Sequence, residues 1–136
     1  MIVVSPNLDA DSLDFWQAIN KTIDDKRVYI FLGMNQSKYA YLLSNAKFAF
    51  GNSSSLIREC PFIGVNTLVL GNRQSRRLSP KSVKYCDPKE YQQVKINIQD
   101  LESMPRPLPN KMYGDGHATE KIVEFLLERQ YVDIQK

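Results

Sequence analysis

Residues 48–71 read FAFGNSSSLIRECPFIGVNTLVLG, and the fold turns on how they divide. Phe48–Phe50 is a short β-favouring run closed by Gly51-Asn52. Ser53–Ser55 are good N-cap residues, whose hydroxyl oxygens accept from the first free N–H groups of a helix. Ser54–Phe62 follows as that helix. Pro61 ends or kinks it near its last turn, since proline has no N–H to give. Thr67–Leu70 is the next strand, ended by Gly71. Strand, helix and strand in this order make a βαβ unit with parallel strands and a right-handed crossover.

The same alternation extends in both directions. Upstream, Ile2–Ser5 is a short apolar run closed by Pro6-Asn7. Leu13, Phe15, Trp16, Ile19 and Ile23 recur at helical spacing behind the caps Asp9 and Ser12. Arg27–Leu32 is a β-branched and aromatic strand ending at Gly33, and Ser37–Asn45 is a helix carrying Tyr39, Tyr41, Leu42 and Leu43. Downstream, Val83–Cys86 is a fifth strand. Lys89–Leu101 is a helix with Tyr91, Val94, Ile98 and Leu101 on one face. Residues 103–116, with Pro105, Pro107, Pro109, Gly114 and Gly116, are loop. Glu120–Arg129 is a last amphipathic helix. The aromatic residues at helical spacing (Phe15, Trp16, Tyr39, Phe125) are expected in the core. The strands are continuous apolar runs, as in a parallel sheet covered on both faces. The expected fold class is α/β, a Rossmann-like three-layer sandwich with a parallel sheet, formed by one domain over 1–136.

Composition agrees with a globular domain. Of 136 residues, 43% are hydrophobic and 24% charged, close to average usage. No apolar run approaches the ~20 residues of a membrane span, and the start of the chain has no signal-peptide pattern. Two cysteines, Cys60 and Cys86, make neither a disulfide framework nor a metal set, so a reduced, cytoplasmic protein is expected. The net charge of +3 is too mild to argue for nucleic acid. Its distribution is more informative, because residues 71–84 hold five basic residues and no acid.

Ligands of open parallel sheets bind at the carboxyl ends of the strands. Here those ends carry Pro6-Asn7, Gly33-Met34-Asn35, Gly51–Ser55 and Gly71–Arg77. Gly51–Ser55 offers a glycine, hydroxyls and a helix start, which together favour a phosphate. The same residues also make a well-capped helix and nothing more. Glu59 stands where an acid takes ribose hydroxyls in nucleotide-binding sheets, or is a surface acid paired with Arg58. Arg73, with Arg76, Arg77 and Lys81, makes a positive loop suited to phosphate oxygens, or to solubility alone. The loop has no interleaved aromatics for stacking RNA bases. His117 is the only histidine, in Tyr113-Gly114-Asp115-Gly116-His117, and is a turn or cap residue before it is a catalyst. Neither metal-ligand spacing nor a Gly-x-Ser-x-Gly motif is present.

These blocks resemble the C-terminal half of UDP-N-acetylglucosamine 2-epimerases. The resemblance is carried by Gly51-Asn52-Ser53-Ser54-Ser55 with Ile57-Arg58-Glu59, then Phe62-Ile63-Gly64-Val65, Leu70-Gly71-Asn72-Arg73-Gln74 and Tyr113-Gly114-Asp115-Gly116. Ser5-Pro6-Asn7-Leu8-Asp9-Ala10 resembles a segment of the hydrolysing branch, which makes N-acetylmannosamine for sialic-acid-type sugars of the cell surface. The blocks fall in the family's order over nearly the whole chain.

The resemblance implies a glycosyltransferase-B-type enzyme whose C-terminal domain holds UDP. By its pattern Ser53 and Ser54 meet the pyrophosphate, Glu59 the ribose hydroxyls, Arg73 a phosphate and the Met34 backbone the uracil edge. Asn7 and Ser55 are further sugar or phosphate contacts. His117 is the one candidate for a catalytic role. No cofactor or metal is implied. The partners implied are UDP or UDP-N-acetylglucosamine and an N-terminal catalytic domain, absent from this chain and supplied in cis or in trans, with homo-oligomerisation left open. The alternative is a stand-alone UDP-sugar-binding subunit or half of a glycosyltransferase. Three positions depart from the family pattern: Leu56 for Gly, Asn66 for Pro and His117 for Asn. Leu56 is expected to crowd the phosphate helix, and Asn66 only to lose a rigid turn.

Overall fold

The structure, a computed structural model, describes residues 1–4, 16–19 and 27–128. It divides into two compact units, Met1–Tyr41 and Leu42–Lys136. In the first, β1 (Ile2–Val4) and β2 (Tyr29–Phe31) pair in parallel, with Val3 opposite Ile30. Residues 16–19 are helical; the rest of the helix expected around Leu13–Ile23 lies outside the described residues. Helix α1 (Gln36–Asn45) begins where Asn35 caps it, its Oδ1 accepting the Lys38 N–H at 2.9 Å. Asparagine at this position satisfies a donor that the helix itself leaves free.

The second unit is built on a three-stranded parallel sheet of order β3-β4-β5: Phe48–Gly51, Asn66–Leu70 and Val83–Cys86. Gly51 lies opposite Val69, and Leu70 opposite Cys86. The class is the one expected, α/β with parallel strands and consistent with a Rossmann-like sandwich. One sheet was expected, whereas the described strands form two.

The central strand β4 shows why its sequence is apolar throughout. Asn66, Thr67, Leu68 and Val69 are all buried. Thr67 Oγ1 donates to the Leu56 carbonyl at 3.0 Å, which sets one face of β4 against the segment before it. Side chains alternate along a strand, so Asn66 and Leu68 face the other way. There the Asn66 Nδ2 donates to the Pro105 carbonyl at 2.8 Å, just after helix α3 (Tyr91–Ser103), whose Leu101 is fully buried. Layers therefore cover both faces of this sheet.

Two expected helices change shape. Ser54–Phe62 was expected as one α-helix. It is instead a 3₁₀ turn (Ser54–Leu56), a bend, and a five-residue helix α2 (Glu59–Ile63). Pro61 is the cause, since it cannot donate to Ile57 and its ring crowds that carbonyl. Helix α3 starts two residues later than expected because Asp87 organises a turn first. Its Oδ1 accepts from the Lys89 N–H, and its carbonyl from the Glu90 N–H. Of the apolar face expected there, Leu101 is buried and Val94 and Ile98 are half-buried, but Tyr91 is 72% exposed. Helix α4 (Ala118–Glu128) has no buried residue. Phe125, expected in the core, is half-exposed, while Trp16 and Tyr39 are half-buried. Phe15 lies outside the described residues.

Helix α2 ends at Gly64, with φ +81° and ψ +49°. A Cβ there would lie 2.6 Å from the Pro107 carbonyl oxygen. Arg106 closes the same corner. Its Nε donates to the Gly64 carbonyl at 3.1 Å, and its Nη1 to those of Ser44 at 2.6 Å and Ala46 at 3.1 Å. One guanidinium thus satisfies carbonyls at the end of α1 and at the end of α2.

Candidate functional site

β3 and β4 run side by side in parallel, so the segments leaving their carboxyl ends begin as neighbours. The first is Gly51–Ser55. Ser53 is extended (φ −71°, ψ 148°), and its hydroxyl oxygen accepts the Ser55 N–H at 3.3 Å. Leu56 N–H and Ile57 N–H close the 3₁₀ turn onto the carbonyls of Ser53 and Ser54. The buried bond from Thr67 to Leu56 holds this turn to β4. No long helix stands behind the serines, so a macrodipole is not what an anion would meet. The local features are the serine hydroxyls of a tight turn and the N–H groups that precede Ser55, since those of Ser55, Leu56 and Ile57 are used within the turn.

Leu56, expected to crowd this segment, instead points into the core and is 4% exposed. Asn66, expected only to lose a rigid turn, carries the part-buried hydrogen bond to Pro105. Glu59 is the first residue of α2 and is exposed beside Arg58. Next to it Cys60 is fully buried, and burial pushes its thiol up to about 12 against the smaller opposing effect of a hydrogen bond with Ser55. A thiol so placed stays protonated and does not act as a nucleophile.

The second segment leaves β4 at Gly71 and turns through Asn72–Arg77. Ser75 N–H and its hydroxyl both donate to the Asn72 carbonyl, and Arg77 N–H donates to that of Gln74. Arg73, Arg76 and Arg77 are exposed. Among the described residues no acid pairs with them or with Lys81. Gln74 behaves differently. It is 2% exposed, and its Nε2 donates to the Asn52 carbonyl at 3.1 Å. The residue after Arg73 is therefore tied to the residue before Ser53. Sequence reasoning gave Gln74 no role. The available signal was an uncharged side chain between Arg73 and Ser75 in an otherwise basic turn. Farther along, Tyr113 Oη donates to the Leu78 carbonyl, joining the glycine-rich loop to the same segment.

An open cleft of about 600 Å³ lies at the carboxyl ends of β4 and β5, between Gly71, Asn72 and Ser75 on one side and Tyr85, Cys86 and Lys89 on the other. None of Ser53, Ser54, Glu59 and Arg73 lines it. His117 stands immediately before α4. Its N–H donates to Asp115 Oδ1 at 3.1 Å, and its 68%-exposed ring lies 3.9 Å from Glu120. Lys121, 2.8 Å away, and then the His117 N–H hold the Asp115 carboxyl below the usual carboxylate range. Met34 is half-buried between β2 and α1, in the first unit. Asn7 lies outside the described residues. Among the described residues no three His, Cys, Asp or Glu side chains gather as metal ligands. No described helix is long and apolar enough to cross a membrane. Cys60 and Cys86 are both free thiols.

Comparison with known proteins adds two findings. Residues 1–127 match a family model described as UDP-N-acetylglucosamine 2-epimerase. A protein of Neisseria meningitidis serogroup B, named UDP-N-acetylglucosamine 2-epimerase, is 37% identical over 129 residues, which is 93% of this chain and 34% of that protein. The chain spans about a third of that relative's length.

Proposed function

The chain belongs to the UDP-N-acetylglucosamine 2-epimerase family, and from that premise we propose that it supplies the nucleotide-binding part of such an enzyme, the C-terminal half of a glycosyltransferase-B-type fold. One observation carries the reading. The Gln74–Asn52 hydrogen bond joins the two segments at the carboxyl ends of β3 and β4. The serine turn and Arg73, which no acid pairs among the described residues, thereby leave neighbouring strand ends that are tied together. A diphosphate suits that combination, because it takes N–H and O–H donors and a guanidinium together. Ser53 and Ser54 bind the pyrophosphate, with Ser55 beside them. Arg73 neutralises a phosphate, and Glu59 accepts from the ribose hydroxyls.

In the complete protein the reaction is the hydrolysing one, giving N-acetylmannosamine and UDP. The Pro6-Asn7-Leu8-Asp9-Ala10 segment supports this choice. UDP leaves C1 as a base removes the C2 proton, and water adds to the resulting glycal. Proton removal from such a carbon needs a positioned base. Glu59 is given to the ribose here and His117 is a solvent-exposed residue at a helix start. This segment therefore binds nucleotide and does not turn it over.

Calorimetric titration tests the reading. UDP binds more tightly than UMP, because the second phosphate is what the serine turn and Arg73 recognise. Arg73→Ala weakens UDP by about 10- to 100-fold, the usual cost of a charge-assisted contact. Arg77→Ala costs no more than about twofold, as befits a surface charge. Equal affinities for UDP and UMP, or equal small effects of both substitutions, would refute it.

A further inference from the structure

The Gln74 carboxamide is buried at a chemical cost. Its Nε2 is used by the Asn52 carbonyl, but its Oε1 is buried with no hydrogen-bond partner among the described residues. An acceptor stranded out of water is unfavourable. A methionine of similar length would fill the same space without stranding one, so packing alone does not call for an amide. What an amide does there and methionine cannot do is hold the Asn52 carbonyl across 22 residues of chain. Asn52 precedes Ser53, and Gln74 follows Arg73. A single hydrogen bond thus ties the chain just before the serine turn to the chain just after Arg73. The Thr67–Leu56 bond fixes the far end of the serine turn to β4 and the ladder fixes Gly51 opposite Val69, while Gln74 ties Asn52, between them, to the Arg73 segment.

We propose that Gln74 is a positioning residue for nucleoside-diphosphate binding, holding the serine turn and Arg73 at the separation a diphosphate spans. The inference rests on the function proposed above and deepens it. It follows that Gln74 acts on the second phosphate selectively. A nucleoside monophosphate does not need both segments at once, so the ratio of UDP to UMP affinity is the quantity that Gln74 controls. General loosening of the fold would weaken both nucleotides alike.

The experiment is calorimetry of the whole chain with UDP and with UMP, for wild type, Gln74→Met and Gln74→Asn, with thermal unfolding of each. Gln74→Met removes the hydrogen bond at nearly constant volume. Gln74→Asn keeps the amide but is one methylene too short to reach. Both are expected to lose about tenfold in UDP affinity and less than about twofold in UMP affinity, as for one contact of a charged ligand. Gln74→Met is expected to unfold within a few degrees of wild type, because it also removes the stranded oxygen. Wild type that binds UDP, with variants that keep its UDP-to-UMP ratio, overturns the positioning role and leaves the nucleotide site standing. Parallel loss of both nucleotides overturns it as well. Wild type that binds no UDP overturns the function and the inference together.

Discussion

Replacing Gly64 by alanine tests the corner on which the second unit closes. Two costs follow from the geometry. Gly64 is left-handed at φ +81°, and an L-residue there costs about 1–2 kcal/mol. The new Cβ would also lie 2.6 Å from the Pro107 carbonyl oxygen, which is backbone and cannot rotate away. Relief requires moving the 105–110 segment. That segment is held by Asn66 to Pro105, by Arg106 to Gly64 and by the Asn110 N–H to the Pro61 carbonyl. Weakening one or two of these costs about 1 kcal/mol each. Stiffening the unfolded chain returns about 0.4–1 kcal/mol. The balance is a loss of about 1–3.5 kcal/mol, or a fall of about 5–18 °C in Tm for a unit of this size. Far-UV circular dichroism during thermal unfolding reads it. Gly33→Ala is the control, since its φ is not positive and nothing lies within 4 Å of its added Cβ. It is expected to be neutral or slightly stabilising. A Gly64→Ala variant that melts within about 2 °C of wild type would refute both the left-handed turn and the close approach.

Other consequences are equally specific. Arg106→Met removes three hydrogen bonds, one part-buried to Gly64 and two exposed to Ser44 and Ala46, and urea unfolding should show a loss of about 1–2 kcal/mol that Arg106→Lys does not restore, because one ammonium lacks the planar fork. An unchanged urea midpoint would mean these contacts are incidental. Iodoacetamide at neutral pH should alkylate the half-exposed Cys86 and spare Cys60 until the chain is unfolded, as peptide mass spectrometry would detect. The Cys60 thiol, raised from 9.0 to about 12, keeps its proton in the fold while the unfolded chain gives it up. Its contribution to stability is therefore complete below about pH 9 and falls as pH rises towards 12. Rapid native alkylation of Cys60 would contradict this burial.

Much of this was legible because it is local. The apolar run at Thr67–Leu70 marks a buried parallel strand, and β5 has the bounds read from its composition, Val83–Cys86. The Ser53 cap was legible as well, but the helix behind it was not, because the serines promise a start and Pro61 denies the continuation. The readings that failed depend on distant contacts. Nothing near Leu56 in sequence says that its side chain turns into the core, and nothing near Asn66 names Pro105 as its partner. Gln74 and Arg106 are polar residues in exposed-looking loops. Their use is set by carbonyls 22 and up to 62 residues away. The described strands also divide between two sheets, which alternation of strands and helices along the chain does not indicate.

On the function proposed above, a nucleoside diphosphate is held by the serine turn and the Arg73 segment together. Backbone amide NMR during a UDP titration tests it most directly. Saturable shifts are expected at Asn52, Ser53, Ser54 and Ser55 and at Arg73 and Gln74, with one common dissociation constant, and smaller shifts at the Arg73 segment when UMP replaces UDP. Shifts confined to one of the two segments, or absent from both while others move, would contradict it.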